Sequence, residues 1–302
     1  MTKTSLSKTT ITSIVLLPVL TIVRLIQLKF AVDFNTGFFK SDAGATKWAF
    51  YLVILIAAVL LAVALLADKK QAHSLWAIRP QQLSERSAIM VGGLFLTSAT
   101  IIALFPLGIS ADSSIVSQTI GCLLLAVPSV FILSRGKFTY GFGLSMLLPS
   151  GYFAYAAFVM FLKHFIILKV SDYIVRMVIY VALAVFFVSY ARIITERESA
   201  AVRFRTMLLG YGVSLVILSD CISKWLLLFF SGKAEADFLS GGEAVFLYPS
   251  GGITLVALLV VCMTHSLTRP PKAFAAVAKE TAEAATERTP PVTDEVDDEL
   301  DQ

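Results

Sequence analysis

The stretch TMLLGYGVSLVILSDCISKWLLLFF, residues 206–230, decides the fold. A helix needs about 20 mostly apolar residues to cross the roughly 30 Å of hydrocarbon in a bilayer, and this run is long enough. Lipid offers no partner for a bare backbone N–H, so such a run must be helical. Two charges, Asp220 and Lys224, interrupt it.

Seven further runs of the same character surround it, at 11–31, 48–67, 87–108, 114–134, 140–162, 170–191 and 246–267. The chain of 302 residues is 57% hydrophobic and 15% charged, with a mean hydropathy of +0.80. A soluble domain is about half apolar and a quarter charged. The charged residues here would run out before they covered a water-facing surface. The expected fold is therefore all-α, a polytopic transmembrane helix bundle of about eight spans. Residues 1–268 form the bundle and residues 269–302 a separate tail. The first run is too long for a signal h-region and carries Arg24 and Lys29 near its far end, so it reads as a retained span.

Orientation follows from the basic residues between the runs. With the N-terminus inside, the cytoplasmic segments hold Lys3, Lys8, Lys69, Lys70, Arg79, Arg86, Arg135, Lys137, Arg192, Arg197, Arg203, Arg205, Arg269 and Lys272. The outer segments hold Lys29, Lys40, Lys47, Lys163, Lys169 and Lys233, together with Asp33, Asp42, Asp112, Asp237 and Glu243. The bias never flips, so both termini are expected in the cytoplasm. Spans three and four meet at a short turn near Asp112 and should form an antiparallel hairpin. Phe38, Phe39, Trp48, Tyr51, Trp225, Phe229 and Phe230 suit interfacial anchoring. Pro18, Pro106, Pro128 and Pro149 fall inside spans and mark candidate kinks. Pro-Ser-Gly recurs at 149–151 and 249–251, at different depths, which argues against a duplicated architecture.

The net charge of +4 is small and spread over the loops, so nucleic acid is not an expected partner. Cys122, Cys221 and Cys262 each lie within an apolar run and read as small buried apolar residues. The tail after Pro270–Pro271 ends in the acidic stretch TPPVTDEVDDELDQ. It reads as a largely disordered cytoplasmic segment, either solvating or a dock for a cytosolic protein.

Charges inside a span are costly in lipid and face the bundle interior or water. Four stand out as candidate substrate-binding residues: Arg24 in span one, Arg176 in span six, and Asp220 with Lys224 in span seven. At 1.5 Å per residue all four fall about 8–16 Å from the outer boundary. Gln27 and Gln118 lie near that layer. Asp220 and Lys224 are four apart with the acid first, and Asp172 with Arg176 repeats the arrangement. One reading is local pairing, with Lys224 and Arg176 snorkelling to the outer interface. Another is a net-positive vestibule suited to an anion or a lipid head group. A third is a cation or proton relay through Asp220, for which no second deep carboxylate exists.

Catalytic patterns are scarce. His73, His164 and His265 lie in or beside loops, and there is no HExxH. Gly143–Leu144–Ser145 lacks the following glycine of an intramembrane serine protease. Leu209–Gly210–Tyr211–Gly212 has a potassium-filter composition but lies inside a long helix, where close packing through small residues is expected. No Walker A, dinucleotide or haem motif appears, and no cofactor is expected.

The first span and the loop after it read Arg24–Leu25–Ile26–Gln27–Leu28, then Asp33–Phe34–Asn35–Thr36–Gly37–Phe38–Phe39. This RxxQL helix followed by a DxxTGFF loop resembles uncharacterised multi-pass membrane proteins of bacteria. The resemblance covers Arg24 to Phe39 and implies a bacterial cytoplasmic membrane, with no activity attached. The functional expectation is a non-enzymatic membrane protein that transports or binds a small or lipid-like solute through the outer-half charged layer. The rival is a scaffold or sensor acting through cytosolic loops and the acidic tail.

Overall fold

The computed structural model describes residues 8–32, 39–71, 85–104, 115–135, 139–164, 171–195, 200–230 and 247–267. The tail, the Asp33–Phe38 loop and the turn around Asp112 lie outside these residues. The helices are α1 (Lys8–Ala31), α2 (Thr46–Gln71), α3 (Glu85–Leu104), α4 (Ile115–Arg135), α5 (Tyr140–Ser145), α6 (Leu147–His164), α7 (Ser171–Ile194), α8 (Ala200–Phe230) and α9 (Leu247–Ser266). Apart from an antiparallel bridge between Val32 and Phe39, the ordered elements among the described residues are helical.

Five helical stretches are long and apolar enough to cross a membrane: Lys8–Ala31, Thr46–Asp68, Tyr140–Leu162, Val175–Ile194 and Ala201–Leu227. Shorter apolar helical segments run over Ile89–Thr100, Cys122–Ser134 and Ile253–Ser266. The outer faces carry large apolar side chains with no cover, such as Ile14, Leu55, Val59, Val63, Val130 and Phe158. Water would expel such a surface and acyl chains accept it.

The central helix is α8. Two thirds (67%) of its apolar window is buried, against 28% for α2, and it packs against α1, α2, α7 and α9. Pairs α1/α2, α3/α4 and α6/α7 pack as neighbours around it. The α3/α4 pair is antiparallel as expected, because Gly92 near the start of α3 faces Ile132 and Leu133 near the end of α4.

Without a hydrophobic drive between helices in lipid, close packing and interhelical hydrogen bonds hold the bundle. Gly210 of α8 lets α9 approach: a Cβ there would lie 2.0 Å from Thr264 Oγ1 and 2.8 Å from the Phe186 ring. Four residues on, the single Ser214 hydroxyl proton is shared between the Gly210 carbonyl of its own helix at 2.7 Å and the Ala257 carbonyl of α9 at 3.2 Å. Within the Leu209–Gly212 stretch the expected close packing falls on Gly210, while a Cβ at Gly212 would meet nothing within 4 Å among the described residues. Ser223 donates to the Thr21 carbonyl of α1 at 2.8 Å, and Ser150 to the Ala184 carbonyl of α7 at 2.9 Å.

Helix ends are tied by charged groups from neighbouring helices. Asp68, near the end of α2, accepts the backbone N–H groups of Lys8 and Thr9 at 2.9 Å each and the Thr9 hydroxyl at 2.6 Å. A carboxylate at the positive end of α1 satisfies two orphan donors and complements the helix dipole. Arg203, 4% exposed, donates to the Leu267 carbonyl at the end of α9 at 2.8 Å. Both contacts lie at the end of the bundle opposite the charged layer.

The expected span 140–162 is one apolar helical stretch, Tyr140–Leu162, with a single-residue turn at Met146. Pro149 has no N–H to give the Ser145 carbonyl, so one rung is missing, while the Met146 N–H to the Phe142 carbonyl at 3.2 Å and the Ser150 N–H to the Met146 carbonyl at 3.4 Å carry the ladder past it. Phe39 also departs from expectation. It packs beside Leu28, Val32 and Leu227 and is half-buried, whereas Trp48, Phe229 and Phe230 stand exposed.

Replacing Gly210 with alanine should cost about 1–3 kcal/mol, the usual effect of overpacking. Unfolding of the detergent-solubilised protein by added dodecyl sulfate should show the loss. Shortening Thr264 to alanine in the same chain should recover part of it.

Candidate functional site

The site is built by α1 and α8 crossing in the half of the bundle where α1 ends. Burial along α1 falls on Leu20, Thr21, Arg24, Gln27, Leu28 and Ala31, the spacing of one helix face. Arg24 occupies the middle of that face and is fully buried, with 0% exposure. On α8 the facing positions are Asp220, Ser223, Lys224 and Leu227, all buried.

Asp220 is shared between two cations. Its Oδ1 accepts from Arg24 Nε at 2.8 Å and its Oδ2 from Lys224 Nζ at 2.7 Å. Arg24 is fixed from other sides too. Its Nη1 donates to Gln27 Oε1 at 2.5 Å, and its guanidinium carbon stands 5.0 Å from the centroid of the Phe50 ring on α2. Gln27 passes the contact onward by donating to the Lys47 carbonyl at 2.7 Å. Three helices are therefore cross-linked through one carboxylate and one guanidinium.

Lys224 does not snorkel outward. Its ammonium folds back onto Asp220 and the residue is only 7% exposed. The reason is energetic. An ion pair in an apolar layer removes two charges from contact with hydrocarbon at once, while an extended lysine would leave Asp220 to Arg24 alone.

Arg176 of α7 is half-buried and reaches the same place from another side. It lines a cavity of about 20 Å³ with Tyr180, Asp220, Cys221, Lys224 and the apolar walls Ile179, Ile217 and Ile253. The structure thus brings Arg24, Arg176, Asp220 and Lys224 together. The Asp172 and Gln118 side chains lie outside the described residues, and so does the expected Asp172–Arg176 pair. What the sequence reading missed are the partners: Phe50, the Lys47 carbonyl, Tyr180 and Cys221. Only their burial, invisible in a linear apolar run, could have marked them.

The cavity is small. A water needs about 10–15 Å³ of such space, and solute pockets span about 300–1,000 Å³. The cavity admits one water-sized group. Two cations, Arg176 and Lys224, and one carboxylate, Asp220, line it among the described side chains. Among the described residues no group of three or more His, Cys, Asp or Glu is placed to hold a metal ion, and the three cysteines form no disulfide.

Fold and site together define an all-helical bundle, with helices suited to cross a membrane, that carries a buried cation-rich cluster. No family model, characterised protein or solved structure matches the chain.

Replacing Gln27 with leucine should strip Arg24 of an acceptor and leave the Lys47 carbonyl without its donor. The expected cost is about 1–3 kcal/mol, typical of a buried polar group deprived of its partner. Chemical unfolding in detergent measures it, and a loss below about 0.5 kcal/mol would mean that water takes over both roles.

Proposed function

We propose that this chain is a non-enzymatic integral membrane protein that binds, and in its working cycle passes, a small anionic group through the outer half of its bundle. The observation that carries the reading is that the cationic Arg176 and Lys224 side chains line one cavity between α7 and α8. Positive groups held in an apolar layer favour an anionic group beside them. The cavity size narrows the class to a monatomic anion or a single oxygen of a larger anion. A lipid phosphate would enter by one oxygen and keep its bulk outside.

The same reading places the ends of α1 and α8 outward and both termini in the cytoplasm. The basic loops of the opposite end support this orientation through the positive-inside bias. The likeness of Arg24–Phe39 to bacterial multi-pass proteins supports a bacterial cytoplasmic membrane.

The purified full-length protein should gain thermal stability in sodium chloride over sodium gluconate at equal ionic strength, because gluconate is too bulky for the cavity. Lys224→Met and Arg176→Gln should each reduce that gain at least fivefold. A parallel comparison in nanodiscs of phosphatidylglycerol against phosphatidylcholine separates a head-group phosphate from a free ion. Equal stability in all four conditions would defeat the proposal.

A further inference from the structure

We infer that this bundle thins the bilayer locally beside α7, where phospholipid head groups of one leaflet descend to the level of Arg176. The inference is independent of the anion reading above. It rests on the lengths of the lipid-facing helix surfaces.

The polar groups that a helix exposes bound the surface it offers to acyl chains. On α1 these are Lys8 and Lys29, both exposed. They are twenty-one positions apart, which at 1.5 Å per residue is about 32 Å. Arg24 lies between them but is fully buried, so lipid does not meet it. On α2 the half-buried Lys47 and Asp68 enclose the same length. Both surfaces match the roughly 30 Å of hydrocarbon in a bilayer.

The surface of α7 is shorter. Arg192 is exposed and Arg176 is half-buried, and the sixteen positions from one to the other cover about 24 Å. The large apolar side chains that α7 exposes between them are Val178, Val181, Val185 and Val188. These cover about 15 Å from first to last. Tilting α7 cannot supply the missing length, because a tilted helix spans less along the membrane normal.

Snorkelling supplies only part of it. Arg176 shares its cavity with Asp220, the partner of Arg24, so α7 begins at the end of the bundle where α1 terminates. Helix side chains lean toward the helix N-terminus, and the Arg176 stem therefore lifts its head group toward that boundary. A partner at Arg176 lowers the cost of its charge but still leaves a polar group at the lipid boundary. The bilayer makes up the remainder by thinning, the usual response to a short span or to a charge at depth. The hydrocarbon beside α7 is then about 6–8 Å thinner than beside α1 and α2.

Depth-dependent quenching by brominated phosphatidylcholines tests this on the full-length protein in bilayers. In a Trp48→Phe, Trp76→Phe, Trp225→Phe background, a single indole is introduced by Val178→Trp or by Leu55→Trp. Both positions are exposed, and α2 and α7 run in the same direction, so the two indoles lean the same way. Val178 is fourteen positions from Arg192 and Leu55 thirteen from Asp68, so a uniform bilayer puts them at nearly one depth. Val178→Trp should be quenched at least twofold more by bromines near the head group than by bromines near the chain end. Leu55→Trp should show no such excess. Adding Arg176→Leu to Val178→Trp extends the apolar surface to Asp172, about 30 Å from Arg192, and should erase the excess. Equal profiles at the two positions, or a Val178→Trp profile that ignores Arg176→Leu, would overturn the inference. Should the tryptophan-free background fold poorly, the Tm of the wild type and of Arg176→Leu in short-chain against long-chain phosphatidylcholine replaces it. The variant should then favour longer chains than the wild type, and an unshifted preference would overturn the inference equally.

Discussion

One carboxylate shared between two cations organises the half of this bundle in which α1 ends. Asp220 cannot stand in an apolar layer by itself, and neither can Arg24 or Lys224. Their mutual need fixes the face of α1 that meets α8 and the depth at which they cross. Arg24 then recruits the Phe50 ring and, through Gln27, the backbone of Lys47, so α2 is positioned by the same centre. The cavity beside Lys224 brings in Arg176 of α7 and Ile253 of α9.

At the other end the same physics appears in a different form. Asp68 and Arg203 are spent on helix termini rather than on each other. Asp68 closes the α1/α2 pair over the first backbone donors of α1, and Arg203 closes α8 over the last carbonyl of the α9 end. Between the two ends, serine-to-carbonyl bonds and the Gly210 contact supply cohesion that burial of apolar surface cannot give in lipid. Each interhelical bond of this kind is worth only about 0.6 kcal/mol on average, so the bundle depends on their number and on close fit. The Phe95, Phe142, Phe153 and Phe187 rings fill the space among α3, α5, α6 and α7 with centroids about 6 Å apart, the geometry that aromatic pairs favour.

The helical class and the α3/α4 hairpin were legible because apolar run length and loop charge are written directly in the chain. So were the candidate residues, since a charge within such a run is rare and must turn inward. Partners were less legible. The i,i+4 spacing pointed to the Asp220–Lys224 pair, but nothing in the order of residues says that Arg24, nearly two hundred positions earlier, completes it. One reading paired Lys224 locally while sending its head group to the interface, because a lysine stem is long enough to reach it, and in the structure its ammonium sits on the carboxylate. Pro149 was readable as a candidate kink, yet the single-residue turn at Met146 depends on which carbonyl the missing N–H leaves open. Arg203 was counted only among the basic residues of a cytoplasmic segment and Asp68 was not singled out, because their work lies on backbone groups of other helices.

The account rests on the Arg24–Asp220 contact being a coupled buried ion pair, and a double-mutant cycle measures that coupling directly. Arg24→Gln, Asp220→Asn and the double variant would be unfolded in detergent alongside the parent. Breaking a buried pair from either side costs about 3–5 kcal/mol, because the remaining charge is stranded. The account predicts that the double variant loses clearly less than the sum of the two single losses, by about 2 kcal/mol or more. Additive losses within about 0.5 kcal/mol would contradict it.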